Sequence, residues 1–243
     1  MEIFLIGIAF ALGGILKGAT GAGAPIIAIP ILAIHNDVQF AIAVFAVPSL
    51  VPNLIQGWAF RTHHLGLNFV VSFALSGAAG AFFGTLFLAN IASDVLLRTV
   101  AIAVLVYVGF RFLRPDWRLT LKRASAMSVP VGLISGVLQG ISGVAAPVCV
   151  TFLNAMLLER SQFIATISVF FTALAAVQIP ALVFFNLLTI ERFWLSCIAL
   201  IPLLAFMPVG AYLARRISKP HFDRIVQVLL TAIALRLIFE SFT

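Results

Sequence analysis

What most constrains this chain is a series of apolar blocks, each about as long as a bilayer is thick, separated by gaps too short for a soluble domain. Full-length helix candidates lie at 38–58, 67–88, 95–113, 162–186, 192–213 and 222–241, each near the ~20 residues that a spanning helix requires. Two longer apolar stretches, 2–34 and 127–157, are interrupted by glycine- and proline-rich breaks. Together these blocks leave no room for a soluble domain of ~100 residues. Only 9% of the residues are charged, against about 25% in average soluble proteins. The reading is an all-α integral membrane protein.

The formal net charge of +7 does not point to nucleic acid, because the basic residues fall in the short gaps, where Lys and Arg fix membrane orientation. Cys149 and Cys197 both lie in apolar stretches and suit small buried hydrophobes. They show neither metal-ligand spacing nor a disulfide framework. Met1-Glu2 followed at once by apolar residues lacks the positive flank and cleavage pattern of a signal peptide, so the first segment is expected to be retained as structure.

The chain repeats itself. An offset of 122 lays residues 14–25 on 136–147. Gly14, Leu16, Gly18, Gly21, Ala24 and Pro25 then meet Gly136, Leu138, Gly140, Gly143, Ala146 and Pro147, and Thr20 meets Ser142. The same offset carries Gln56 onto Gln178, and an offset of 126 pairs Gly84 with Gly210 and Arg98 with Arg224. The organisation expected is a first membrane repeat over 1–113, a basic cytoplasmic connector over 114–124 and a second membrane repeat over 125–243.

Lys and Arg choose between parallel and inverted copies. If each interrupted stretch crosses once, the copies are parallel and the basic residues divide seven against six. If each is a hairpin, the copies are inverted, and eleven basic residues share one side, with only Arg98 and Arg192 opposite. That asymmetry is the one expected of a cytoplasmic and an outer face. The expected fold is therefore two inverted repeats, each an interrupted glycine-rich helical hairpin plus three spanning helices.

Backbone N–H and C=O groups cannot stay unpaired in lipid, so a break such as Gly18–Pro25 has to be enclosed by protein or line a cavity. A helix restarting after such a break presents free N–H groups and a positive dipole end to an anion. Pro25 and Pro147 suit the first turn of a restarting helix. Gly21, Gly23 and Gly143 allow close backbone approach, and Thr20 and Ser142 add matching hydroxyls. Lys17 is the sharpest single residue, because a cation inside a membrane segment is costly and marks a functional site; snorkelling to the interface is its other reading. Its counterpart is Gln139. Asn53, Gln56 and Gln178 either line the same site or bond helix to helix. Gly14, Gly18, Gly136 and Gly140 fit tight helix packing equally well. One small anion held between the two breaks is the expected ligand. No paired carboxylates or His/Glu metal set appear, so neither enzyme chemistry nor a cofactor is expected.

Through the segments GILKGATGAGAP (14–25) and GVLQGISGVAAP (136–147), the chain resembles the sulfite exporter TauE/SafE family of membrane transporters. In this family a glycine-rich break opens each half. Ala145 stands where the first copy has Gly23, and Gln139 where it has Lys17. The resemblance implies a secondary transporter in a bacterial-type inner membrane. It also implies export of sulfite or small organosulfonates such as sulfoacetate. An anion channel using the same cavity is the alternative. Neither the coupling ion nor the oligomeric state is legible.

Overall fold

The computed structural model describes residues 2–92 and 118–216, with scattered positions between them (94–96, 98, 99, 102 and 109). Its elements are α1 (Glu2–Thr20), α2 (Ala24–His35), α3 (Val38–Val44), α4 (Ala46–Ala59), α5 (Leu67–Asn90), α6 (Leu121–Ser142), α7 (Ala146–Ala155), α8 (Arg160–Phe184) and α9 (Ile190–Arg216). Among the described residues, six stretches are long and apolar enough to cross a membrane: Ile3–Thr20, Val38–Ala59, Leu67–Asn90, Leu121–Ser142, Arg160–Phe184 and Ile190–Ala214. The chain is a multi-pass helical membrane protein. The expected span 222–241 lies outside the described residues, as do Arg224 and the connector from 114 to 117. Within 95–113 the scattered described positions are helical.

Both interruptions are shorter than the sequence pattern implies. The chain leaves the helix only at 21–23 and at 143–145, so Lys17, Gly18 and Thr20 belong to the last turn of α1. The Thr20 hydroxyl donates to Leu16 O at 2.8 Å and accepts from Ala22 N–H at 3.3 Å, which carries the helix one turn further. Ser142 does the same with Leu138 O and Val144 N–H, at 2.7 and 3.3 Å. Gly21 (φ +85°) and Gly143 (φ +69°) then close the two helices in the left-handed region. Their N–H groups return to Lys17 O and Gln139 O at 2.7 and 2.8 Å, a helix end that glycine favours because it has no Cβ to clash.

Two other boundaries moved for physical reasons. The second interrupted stretch begins at Leu121 instead of 127, because Lys122 and Arg123 ride on the exposed face while Ala124 and Ser128, one turn apart, are buried. The 38–58 span is two helices meeting at Phe45. Pro48 has no N–H to offer the preceding turn, and the N–H of Val47 bonds the Ser196 hydroxyl of α9 at 2.9 Å.

Glycine seams hold the bundle. On α6, side chains added at Gly136 and Gly140 would strike the backbone of Gly77 and Ala81 on α5. On α1, side chains added at Gly14 and Gly18 would strike the backbone of Leu203 and Met207 on α9. Likewise Gly84 lies on Val137, and Gly210 on Ile15. Each pair in one seam maps onto a pair in the other through the offsets 122 and 126, with the halves exchanged. The packing reading of Gly14, Gly18, Gly136 and Gly140 is the one the structure bears out, backbone approaching backbone as small residues permit. Contacts climb together along each seam, so α1 runs beside α9 in the same direction, and α5 beside α6. Phe73 stacks on Phe170 at 4.1 Å between ring centroids and tilts against Phe152 at 5.7 Å, which ties α5 to α7 and α8.

Candidate functional site

The ten residues singled out from sequence fall into two groups. Gly21 rests on Ile164 and Phe163, at the first turn of α8. Gln139 instead bonds Gln178, fourteen residues further along α8, about 21 Å at 1.5 Å per residue. The two breaks therefore do not face one another across a single small ligand. Each is enclosed by protein, since residues 21–23 and 143–145 are all buried.

The first group gathers around Lys17, which is 3% exposed. Its ammonium donates to Asn53 Oδ1 of α4 at 2.8 Å and to Gly21 O at 3.3 Å. Asn53 in turn donates to Ser49 O at 2.6 Å, which fixes its carbonyl oxygen toward the lysine. Lys17 is thus held inside the bundle, and the snorkelling reading fails. At the start of α2, no side chain caps the helix at Gly23. The space a side chain would fill at Gly23 is taken by Leu16 and Thr20. Arg160 brings a second cation to this end, donating to Gly18 O at 3.4 Å.

The second group is neutral. Gln139 Nε2 donates to Gln178 Oε1 at 3.4 Å, and Gln178 Nε2 donates to Gln139 O at 3.2 Å. Gln139 Oε1 accepts from Ala145 N–H at 3.3 Å, capping the restart of the chain toward α7. Gln56 does not share the bond of its repeat partner: its Oε1 is buried without a hydrogen bond.

Sequence reasoning passed over Thr166 and Ser168 on α8 and Ser135 on α6, whose hydroxyls are also buried without a partner. Many helical Ser and Thr here bond a carbonyl of the preceding turn, as Thr85 does with Ala81 O at 2.8 Å. A serine in an apolar helix therefore carries little signal on its own. Ser168 lies one turn beyond Ile164 and against Gly57 of α4, beside the first group. Among the described residues, no three His, Cys, Asp or Glu side chains come together in a way that could hold a metal ion.

The fold is that of a multi-pass helical membrane protein with two interrupted helices, one of which carries an enclosed cation. The Sulfite exporter TauE/SafE family matches the chain over residues 5–237. The chain belongs to that family, and its class is that of sulfite-exporter-type membrane transporters. No match was found among curated proteins or among solved structures.

Proposed function

We propose that this protein is a secondary exporter of sulfite or a small organosulfonate such as sulfoacetate, working by alternating access in a bacterial-type inner membrane. The observation that carries the reading is Lys17. A cation taken out of water is retained only where a partner repays several kcal/mol of desolvation, and among the described residues no carboxylate pairs with it. A transported anion would supply that partner. Asn53 positions the ammonium, the N–H groups at the start of α2 add donors, and the unpaired Ser168 and Gln56 lie alongside.

Two inverted repeats are part of the proposal. The equivalent helices α1 and α6 finish toward opposite ends of α8, at Ile164 and near Gln178, as an inverted pair requires. The exchanged glycine seams are what a two-fold relation between the halves produces. Rocking one seam pair against the other would open the Lys17 site to each side in turn.

The test is uptake of labelled sulfite and sulfoacetate into proteoliposomes, with and without unlabelled anion inside. Saturable uptake accelerated by preloading is the expected result. Flux that neither saturates nor responds to preloading would make the protein a channel, and silence toward both anions would leave this substrate class unsupported.

A further inference from the structure

The two halves differ at one register position, and the difference says which break binds. In the second half, residue 139 is a glutamine whose Oε1 accepts the Ala145 N–H at 3.3 Å, while its Nε2 donates to Gln178. The amide thereby places an oxygen acceptor at the restart of its own chain. In the first half, the same position is Lys17, which has no acceptor. The N–H of Gly23, counterpart of Ala145, has no hydrogen-bond partner among the described residues. Lys17 commits two of its three N–H groups to Asn53 Oδ1 and Gly21 O, and the third has no partner there either. The first break is therefore a copy of the second from which one oxygen atom has been removed and to which one positive charge has been added.

We infer that an oxygen of the bound anion occupies, at the first break, the position that Gln139 Oε1 occupies at the second, so that each chain binds one anion, at Lys17 and the Gly23 N–H, and none at Gln139. The inference rests on the anion reading above and sharpens it. Lys17 becomes the specificity-determining residue, while Gln139, Ser142, Gly143 and Gln178 form a closed structural copy. The ligand class is a small oxyanion able to accept from an ammonium and a backbone N–H at once.

Labelled sulfite and sulfoacetate are titrated onto the purified full chain in detergent, and melting is followed without and with each anion. Wild type is expected to bind one equivalent of at least one of them and to melt higher in its presence. K17Q is expected to bind none. K17Q should also melt higher without anion than K17M, because glutamine supplies the missing oxygen and methionine does not. Two equivalents on wild type, undiminished binding by K17Q, or equal melting of K17Q and K17M would overturn the single-site assignment. Failure of wild type to bind either anion overturns the anion reading itself, and this assignment with it.

Discussion

At the scale of single residues, Gly21 and Gly143 do the same conformational work in different surroundings. Both sit at positive φ, where a Cβ costs about 1–2 kcal/mol. A Cβ at Gly143 would also collide with Ile29, whereas at Gly21 the nearest atom, on Ile164, is only tightly placed. G21A should therefore lower the thermal midpoint by a few degrees and G143A by clearly more; equal midpoints would refute the packing difference. For function, K17Q should lower sulfite uptake about 30-fold or more, since unpairing a buried charge contact typically costs about 2–5 kcal/mol. R98Q should change it little, and initial uptake rates compare the two. Lys17 was legible in sequence because a cation among apolar residues has few innocent explanations. Its bond to Asn53 was not, since the repeat pairs Gln56, not Asn53, with Gln178. Which of two polar residues a turn apart meets the lysine depends on helix rotation, and spacing does not encode that.

Among the elements, the hairpins were readable and their proportions were not. Glycine, hydroxyl and proline marked each interruption, but the helix runs on to Thr20 and Ser142 because their hydroxyls satisfy the backbone two residues ahead and four behind. The long arm α1 spans about 28 Å and its return α2 about 18 Å at 1.5 Å per residue. The glycine seams give this scale its prediction. G84V and G210V each push a side chain into a facing carbonyl, of Val137 and Ile15 respectively, and such overpacking costs about 1–3 kcal/mol. Both should lower thermal stability in detergent to a similar extent. G7A, at a helical position with open space around it, should leave stability unchanged or raise it by up to ~1 kcal/mol.

For the molecule as a whole, the arrangement of the halves predicts topology. Single cysteines at Thr62 and Thr120, in a chain with Cys149 and Cys197 replaced, should be labelled from the same side of the membrane, and one at Asn186 from the other. Labelling of Thr62 and Thr120 from opposite sides would remove the inverted arrangement. The class of a multi-pass helical membrane protein was legible because apolar length is written in composition. That the two breaks lie at opposite stretches of α8 was hidden, because an offset shows which segments correspond and not where they meet. The seam between α1 and α9 also bears on how the chain is made. Gly14 and Gly18 find their partners only when Leu203 and Met207 have emerged, about 190 residues later. At ~5–20 residues per second of synthesis, α1 waits on the order of 10–40 s for the helix its glycines pack against, long after Asn53 has emerged to meet Lys17.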